Sequence, residues 1–464
     1  MTALFAATIA LISQAAPPAD FGRHYMAFLD AAKTPRLLVR EVAREAATRG
    51  FRVRDVFDAP TPAKPGDRLM FVSRERSIAL VVVGRAPVTT GFRLVGTHVD
   101  TPKFRVVQRP IVVTDGRVAL RTVFHGGIKE YQWWTRPLAL VGTVHRADGK
   151  EVDVALGLKD ETSFAMGTWT STGVPGKVGR KDPWAGWARE YDVVVAGFPK
   201  GGTSGDPKGA FLKVLGDRFG VVEGDLDSSE LYFVPVQTAR WVGVGERLVG
   251  GFGQDDKACS YAAARAAIDL DVVPEKTVIA FLTDREEVGS TGPSGAASEW
   301  IDALIAHLIV ATRSNPSKDR PVFETEVRTA FVQAEVLSSD VTAGVNPLFP
   351  RVHELRNAAR LGKGPAMMKW TGRGGKFGGS DAHAEYVDRV VRIFAEAKVP
   401  LQIGNIGRVD EGGGGTIAKF IANKGANVLD LGIPMISMHA AFDVTHVRDI
   451  ENLARGLRAF FVTK

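Results

Sequence analysis

Residues 283–290, Thr-Asp-Arg-Glu-Glu-Val-Gly-Ser, follow the apolar run Val-Ile-Ala-Phe-Leu at 278–282, and this junction organises the rest of the sequence. The apolar run has the length and the flanking residues of a buried strand. Glu286 and Glu287 are adjacent carboxylates that repel each other at the end of this strand. A fold tolerates that cost when one carboxylate meets a cation and the other has a task needing a raised pKa. The alternative, a solvated pair on a loop, is favoured when these residues are taken alone.

The composition is that of a soluble globular protein. The chain has 464 residues, of which 45% are hydrophobic and 24% are charged, and this length predicts two domains. The net charge is +7, but the basic residues are scattered among acids, which argues against a nucleic-acid-binding face. The densest basic stretch, residues 351–376, is interpreted as a helix and a glycine-rich loop. The single cysteine, Cys259, excludes a disulfide framework and a multi-cysteine metal site.

The first sixteen residues allow two interpretations. Residues 4–12 are apolar and residues 13–15 (Ser-Gln-Ala) resemble a signal-peptidase site, yet no Lys or Arg precedes the apolar run. Residues 1–16 are therefore either a cleaved signal peptide, which predicts a periplasmic or secreted protein, or a disordered tail or alternative start of a cytoplasmic one. No other stretch is long and apolar enough to cross a membrane.

The order of predicted elements indicates an α/β fold interrupted by a β-rich segment. Residues 20–50 are predicted to be helical, with Thr34 as an N-cap before a proline. Strand-like alternation dominates from residue 103 to about residue 240, and residues 168–209 are predicted to form a long loop or partly mobile insert. Beyond this segment strands alternate with helices, which predicts a mostly parallel sheet with helices on both faces.

Several elements are predicted individually. The strands of the α/β part are expected at 69–72, 77–83, 92–96, 277–282, 308–312, 327–337, 401–406, 428–431 and 435–438. Its later helices are expected at 256–269, 296–307, 382–397, 416–423 and 446–461. These assignments follow from apolar periodicity and from glycine and proline at the ends of the segments.

Five short segments carry residues that ligate metals, and each lies at or near the end of a predicted strand or at the start of a predicted helix. They are His98-Val99-Asp100, Gln254-Asp255-Asp256, Glu286-Glu287, Ser338-Ser339-Asp340 and Met438-His439. Open α/β sheets place their sites at the carboxyl ends of strands. Each segment also has a structural explanation: Asp255 or Asp256 suits a helix N-cap, and His439 suits a hydrogen-bonded core position.

Taken together, these residues match the needs of a dinuclear metal centre. Two divalent ions about 3.5–4 Å apart need a bridging carboxylate and further ligands on each ion. Asp255 as the bridge, His98 and Asp340 on one ion, and Glu287 and His439 on the other give balanced sites. Asp100 can accept the other ring N–H of His98 and so orient the imidazole. Glu286 then remains as the unligated carboxylate that takes a proton from an attacking water.

In their order along the chain and in their residues, the segments resemble the motifs of the aspartyl aminopeptidase / aminopeptidase I family of dinuclear zinc metallopeptidases, particularly its bacterial branch. The matching stretches are GTHVDTPKFRV at 96–106, HGGIKEYQW at 125–133, GGFGQDDKACSYAA at 250–263, FLTDREEVGSTGPSGAAS at 281–298, SSDVTAGVNP at 338–347, GSDAHAEYV at 379–387, GRVDEGGGGTIAKF at 407–420 and GIPMISMHAAFDV at 432–444. The family pattern assigns the residues named above to the same roles, with Glu286 as general base and Asp100 as the orienting carboxylate.

The resemblance implies a zinc-dependent exopeptidase that removes N-terminal residues from peptides, with two Zn²⁺ per chain, although Co²⁺ or Mn²⁺ would suit the same ligands. It implies an α/β/α sandwich catalytic domain at 17–102 and 240–464, interrupted by a β-rich domain at 103–239. It also implies a homo-oligomer, in the form of a tetrahedral dodecamer, with peptide substrates and neither nucleic-acid nor membrane partners.

The sequence departs from the family pattern in two places. Residues 343–346 (Ala-Gly-Val-Asn) follow Asp340 where many members carry a histidine, and residues 126–131 lack the Trp-containing glycine run of eukaryotic members. A preference for acidic N-terminal residues is therefore not transferred. The alternative functions are a catalytically inactive cage-forming or peptide-binding scaffold, and a related dinuclear peptidase or deacylase acting on other amides.

Overall fold

The computed structural model describes residues 20–114, 116–159, 162–166, 190–196, 206–313 and 321–463. The predicted signal peptide or tail at 1–16 and residues 168–189 and 197–205 of the predicted loop lie outside these ranges and stay predictions. In the described part of that loop the prediction is wrong, because Glu190–Ala196 is a strand and a helix begins at Pro207. Within them, no helix has the length and apolar character needed to cross a membrane.

The α-helices of the described ranges are α1 (Phe21–Ala31), α2 (Pro35–Thr48), α3 (Pro207–Phe219), α4 (Gln254–Ile268), α5 (Trp300–Ala311), α6 (Glu324–Val332), α7 (Ala384–Glu396), α8 (Ala418–Ala422) and α9 (Val447–Val462). The helix predicted at 20–50 is two helices, α1 and α2. Thr34 caps α2 as expected, because its side chain accepts a hydrogen bond from Leu37 N and Pro35 occupies the first turn.

The strands are β1 (Arg52–Arg54), β2 (Arg68–Ser73), β3 (Ser77–Val82), β4 (Arg93–His98), β5 (Lys103–Thr114), β6 (Arg117–His125), β7 (Leu138–His145), β8 (Glu151–Leu156), β9 (Glu190–Ala196), β10 (Ser229–Pro235), β11 (Arg240–Val242), β12 (Leu248–Gly251), β13 (Val278–Thr283), β14 (Glu335–Ser338), β15 (Thr342–Ala343), β16 (Ala366–Met368), β17 (Trp370–Arg373), β18 (Phe377–Asp381), β19 (Gln402–Ile403), β20 (Asn427–Gly432), β21 (Pro434–Ile436) and β22 (Asp443–His446).

The described chain divides into two compact units. The first contains the described residues of 20–101, 239–438 and 442–463, and the second contains the described residues of 102–238 together with His439–Ala441. The second unit is built on a six-stranded sheet in the order β8-β7-β10-β5-β6-β9, whose neighbouring strands are antiparallel. The expected β-rich interruption of an α/β fold is therefore present.

A nine-stranded sheet forms the centre of the first unit, in the order β1-β2-β3-β13-β4-β14-β20-β16-β19. The pairs β13–β4, β4–β14 and β14–β20 are parallel, whereas β3 runs antiparallel to β13 and β16 antiparallel to β20. The predicted α/β class with a mostly parallel central sheet is confirmed. Four parallel strands in a row, β13, β4, β14 and β20, also bring four carboxyl ends to one edge of the sheet.

Both faces of this sheet are covered by apolar side chains, as the α/β/α prediction requires. Along β3, Ile78, Leu80 and Val82 join one core cluster, and the alternate residues Ala79 and Val81 join the other. The first cluster includes side chains of α1, α2, α4, α7 and α9, and the second includes side chains of α5, α6 and α8. A strand with both faces buried is a continuous apolar run, which is why these strands were recognisable.

Some predicted elements are wrong. A strand is expected at residues 308–312, but α5 continues to Ala311. A strand is also expected at 327–337, but the chain forms α6 as far as Val332 and then the short strand β14 from Glu335. Short apolar runs in buried helices and buried strands look alike in sequence. The helix expected within 351–376 is replaced by β16, β17 and a 3₁₀ turn at Pro350–Val352.

One helix was missed in the β-rich segment. The helix α3 has Asp206 as its N-cap, Pro207 in its first turn and Gly220 in the left-handed conformation at its end. These are standard start and stop signals, and they could have been found in the sequence.

Candidate metal centre

The candidate ligands of the first unit lie where parallel neighbours end. His98 is the last residue of β4, Glu286 and Glu287 follow β13, and Asp340 follows β14. Since β13, β4 and β14 are adjacent and parallel, residues far apart in sequence meet at one edge of the sheet.

The imidazole of His98 is the centre of this cluster and is only 2% exposed. Its Nε2 lies 3.2 Å from Asp255 Oδ1 and 3.6 Å from Asp340 Oδ1. Ligand atoms that share a tetrahedral zinc ion lie roughly 3.4 Å apart, given metal–ligand bonds of about 2.1 Å. Each of these two carboxylate oxygens is therefore at a distance from His98 Nε2 that suits two ligands of one cation.

Two overlapping groups of side chains can each hold a metal ion. One is formed by His98, Glu286 and Asp340, and the other by His98, Asp255 and Glu287; within each group the ligand atoms lie within 4.8 Å of one another. One imidazole and carboxylate oxygens are the donor types that zinc, cobalt and manganese accept. The residues present thus fit a divalent metal centre.

Asp100 is fully buried and contacts both His98 and the backbone of Glu286 and Glu287. Its Oδ1 accepts a hydrogen bond from Glu286 N at 3.0 Å, and its Oδ2 accepts one from Glu287 N at 3.2 Å. The same residue faces His98 Nδ1, at 3.4 Å from Oδ1 and 3.1 Å from the carbonyl oxygen of Asp100. An imidazole that donates its Nδ1–H in this way presents Nε2 as the ligand atom.

The start of α4 separates the roles of two adjacent acids. The backbone angles of Asp255 and Asp256 are not helical, so α4 is kinked there and its regular part begins after Asp256. Asp256 Oδ1 accepts a hydrogen bond from Cys259 N at 3.3 Å and so caps that regular part, an interaction that the sequence allowed for either residue. Asp256 Oδ2 also accepts from His98 N at 3.3 Å. The peptide bond between Asp255 and Asp256 is cis. Asp255 is left to face His98 Nε2.

Sequence reasoning missed two residues that hold the backbone of His98. One is Asp256, as above, and the other is Ser260, whose Oγ donates to the carbonyl oxygen of His98 at 2.7 Å. Ser260 Oγ also lies 2.8 Å from Thr97 Oγ1. A serine on an alanine-rich helix carries no sequence signal for this role, because the contact spans more than 160 positions of the chain.

The electrostatics of the cluster show an excess of negative charge. Burial raises the pKa of Glu286 to about 8; the charge of His98 lowers it, and Asp340, Asp100 and Asp255 raise it further. Burial lowers the pKa of His98, but the charge of Asp340 and the hydrogen bonds that the imidazole donates to the surrounding carboxylates outweigh it and raise that pKa well above its usual value. The pKa of Asp340 is also raised, mainly by burial. The acids of the cluster therefore repel one another until a cation or protons compensate their charge.

His439 is not a member of either group of candidate ligands. It belongs to the second compact unit, where its Nδ1 lies 2.5 Å from the carbonyl oxygen of Gly127, and its φ of +66° is in the left-handed region. Its predicted role as a ligand stays a prediction. The structure thus brings together His98, Asp255, Glu286, Glu287 and Asp340 around Asp100.

Comparison with known proteins identifies the family. The family model described as aminopeptidase I zinc metalloprotease (M18) matches residues 28–161 and 195–461. The probable M18 family aminopeptidase 1 of Borrelia garinii subsp. bavariensis is 32% identical over 447 residues, covering 95% of this chain and 95% of that protein. The protein of the same name from Clostridium acetobutylicum is 33% identical over 443 residues, covering 95% and 94%.

Solved structures show the same relationship. The M18 aminopeptidase of Thermotoga maritima superposes with a TM-score of 0.87 at 32% identity, covering 96% of both chains, and aminopeptidase I of C. acetobutylicum with a TM-score of 0.83 at 31%, covering 94% of both. The mApe1 chain of S. cerevisiae shares the fold, with a TM-score of 0.74 at 19% identity and coverage of 95% and 96%. This chain belongs to the M18 family of aminopeptidase I zinc metalloproteases and is a zinc metalloaminopeptidase.

Proposed function

We propose that the centre around His98 holds two zinc ions per chain and hydrolyses the N-terminal residue from peptides, with Glu286 as general base. In this proposal Asp255 would be a ligand of both ions, His98 and Asp340 would hold one of them, and Glu287 and His439 would hold the other. The observation that carries it is the convergence of four carboxylate side chains from three separate segments on one buried imidazole. Cobalt or manganese could replace zinc at the same donors.

The hydrogen bond at His439 supports its place in the ligand set. Metal-ligating histidines usually donate one ring N–H to a carboxylate or backbone carbonyl, which fixes the tautomer. His439 Nδ1 has such a partner in the carbonyl oxygen of Gly127. The Nε2 of His439 is then the atom we assign to the metal.

The chain's own residues handle the protons of the reaction. When bound, zinc polarises the scissile carbonyl and lowers the pKa of a bound water. Glu286 accepts the proton of the attacking water and then donates it to the nitrogen of the leaving amine. Burial, the largest cause of the raised pKa of Glu286, helps its carboxyl to hold the proton between the two transfers. Asp100 keeps Glu286 in place through the backbone N–H.

We also propose that the protein is a homo-oligomer and that the assembly is a tetrahedral dodecamer. The support is the S. cerevisiae mApe1 structure, which is described as a dodecamer and shares this fold. Size-exclusion chromatography with light scattering tests this part, and a monomer at all concentrations would contradict it.

The catalytic proposal is tested by metal depletion and reconstitution. Protein stripped with a chelator should lose hydrolysis of aminoacyl anilides, and activity should return on titration with Zn²⁺, Co²⁺ or Mn²⁺ and saturate at two ions per chain. The N-acetylated anilide is the control substrate, because an aminopeptidase requires a free α-amino group. Fewer than one bound ion per chain at any loading would favour the inactive scaffold instead, and cleavage of the acetylated substrate would favour a deacylase.

A further inference from the structure

The backbone of His98 lies beyond the last residue of β4 that pairs with β14. That pairing ends at Gly96, whose carbonyl oxygen accepts a hydrogen bond from Ser339 N at 2.6 Å. Val99 N donates to Thr283 O at 2.7 Å, on the opposite side, toward β13. Because backbone groups alternate between the two neighbours of a strand, the N–H and C=O of His98 point to the side of β14. Buried there, both groups need partners other than a strand.

Two side chains of α4 supply those partners. Asp256 Oδ2 accepts a hydrogen bond from His98 N at 3.3 Å, and Ser260 Oγ donates one to His98 O at 2.7 Å. Both side chains are fully buried, so the two hydrogen bonds lie in a setting of low dielectric. Asp255 directly precedes the regular part of α4. One helix therefore positions both the backbone of His98 and the carboxylate that faces its imidazole.

The hydroxyl of Ser260 has a second partner, which fixes the direction of the hydrogen bonds. Ser260 Oγ lies 2.8 Å from Thr97 Oγ1, and both residues are fully buried. A hydroxyl has one proton and a carbonyl oxygen can only accept, so the proton of Ser260 is used on His98 O. Thr97 must then donate to Ser260 Oγ. We call this arrangement, from Thr97 through Ser260 to the carbonyl of His98, the hydroxyl chain.

The hydroxyl chain acts on the distance between two candidate ligand atoms. His98 Nε2 lies 3.2 Å from Asp255 Oδ1, which suits two ligands of one cation. Without a cation, the acids around His98 repel one another and favour a looser arrangement. If the carbonyl of His98 were released, metal binding would first have to order the end of β4, and the affinity would fall.

We propose that Thr97 and Ser260 are positioning residues that keep His98 and Asp255 in metal-binding geometry before the metal arrives; this inference rests on the proposed function of the centre. Neither hydroxyl is assigned to the metal or to the substrate. Their effect is on metal affinity, through the backbone of His98.

The test compares hydroxyl deletions with a conservative replacement. Ser260→Ala removes the donor to His98 O and leaves α4 intact, because alanine is the most favourable residue in a helix. Thr97→Val removes the first hydroxyl of the chain, and Thr97→Ser retains it. Ser229→Ala is the matched control, because Ser229 Oγ also donates to a backbone carbonyl, that of Leu226 at 2.8 Å, on β10 of the second unit.

Zinc affinity is measured by titrating the metal-free protein against a fluorescent chelator. Ser260→Ala should weaken binding of one of the two ions about tenfold, the lower end of the effect of an orienting partner. Thr97→Val should weaken it about threefold, and Thr97→Ser should restore the wild-type value. Ser229→Ala should bind zinc as the wild type does. Wild-type affinity in Ser260→Ala, or an equal loss in Ser229→Ala, would overturn the proposal.

The double variant Thr97→Val/Ser260→Ala tests whether the two hydroxyls act as one chain. Once Ser260 is alanine, the hydroxyl of Thr97 has lost its route to His98, so the double variant should bind zinc within about twofold of Ser260→Ala. Independent effects would multiply to about thirtyfold, and that outcome would overturn the directed chain.

Hydrogen exchange of the metal-free protein separates this inference from the catalytic proposal. Ser260→Ala should speed the exchange of the amides at 98–100 about three- to tenfold, and Thr97→Ser should leave it unchanged. Faster exchange together with weaker zinc binding supports the hydroxyl chain even if no anilide is cleaved, and the catalytic proposal alone would then fail. Exchange equal to that of the wild type would overturn the inference whatever the turnover. A wild type that binds no zinc would overturn the proposed centre and this inference with it.

Discussion

Two buried acidic regions of the first unit, the cluster around His98 and the site of Asp430, differ in how their charge is balanced. Asp430 accepts hydrogen bonds from the hydroxyl groups of Thr416 and Thr371. At His98, the carboxylates of Asp255 and Asp340 face one imidazole, with Glu286 and Glu287 beside them.

This difference distinguishes an acidic residue with a structural role from one that binds a metal. Hydroxyl donors satisfy the oxygens of Asp430 and hold loops together, so that region needs no further ligand. Several acids around one histidine stay mutually repulsive until a cation or protons compensate them.

Glu286→Gln should have the largest effect on the cluster around His98. The amide keeps the size of the side chain but cannot accept the proton of the attacking water, so kcat should fall by about 10²–10⁴-fold or more. Zinc content should be unchanged, because Glu286 is assigned to proton transfer and not to ligation. Anilide hydrolysis and elemental analysis measure the two quantities.

The control is Glu299→Gln, a change of the same kind at an exposed position whose side chain makes no capping hydrogen bond. It should retain wild-type activity. Turnover of Glu286→Gln near the wild-type value would remove the assignment of the base, and a loss of zinc would make Glu286 a ligand instead.

Asp100→Asn should weaken metal binding by about 10–100-fold, as expected for the loss of an orienting partner. Both oxygens of Asp100 accept backbone N–H groups, and the amide would turn an N–H₂ group toward one of them. Competition with a fluorescent zinc chelator measures the affinity. Wild-type affinity in this variant would mean that Asp100 is only a structural link between β4 and the turn after β13.

Metal affinity should rise with pH between about 6 and 8. The pKa of Glu286 is raised to about 8 and that of His98 is raised well above its usual value, so the metal-free centre holds protons at neutral pH. Cation binding must release them, and release is easier as pH rises. Calorimetry in buffers of different ionisation enthalpy counts the protons; no release at pH 7 would contradict the excess negative charge inferred here.

Asp430→Asn should have the smallest effect, on the pH dependence of stability. Burial raises the pKa of Asp430 to about 7, opposed by hydrogen bonds from Thr416 and Ser338, whereas an unfolded aspartate has a pKa of about 3.9. The folded state therefore binds this proton more tightly, and this group's contribution to stability falls as pH rises from about 4 to about 7. Thermal unfolding of the variant across this range should show a flatter dependence than the wild type.

Asp381→Asn serves as the control for that experiment, since Asp381 is exposed and should leave the slope unchanged. A slope for Asp430→Asn equal to the wild-type slope would mean that Asp430 is ionised throughout this range, which would contradict its raised pKa.

Much of the fold could be predicted from the pattern of apolar residues along the sequence. The strands buried on both faces, such as β3 and β13, are continuous apolar runs, and Thr34-Pro35 marks the start of α2. The same signal failed for α5 and α6, because a short apolar run fits a buried helix as well as a buried strand. A buried helix can be distinguished from a buried strand by the length of the apolar run and by the residues at its ends. The run at residues 308–312 is too short for this distinction.

The sequence alone determined which residue types stand at the ends of strands, because ligand chemistry and strand patterning are both local. It thereby named His98, Asp100, Asp255, Glu286, Glu287, Asp340 and His439 as candidates. Only the tertiary structure decided that Asp256 caps α4 while Asp255 faces His98, and that Asp100 holds both Glu286 and Glu287. Those roles depend on distances between segments far apart in the chain, and distances are set by the packing of the parallel strands β13, β4 and β14.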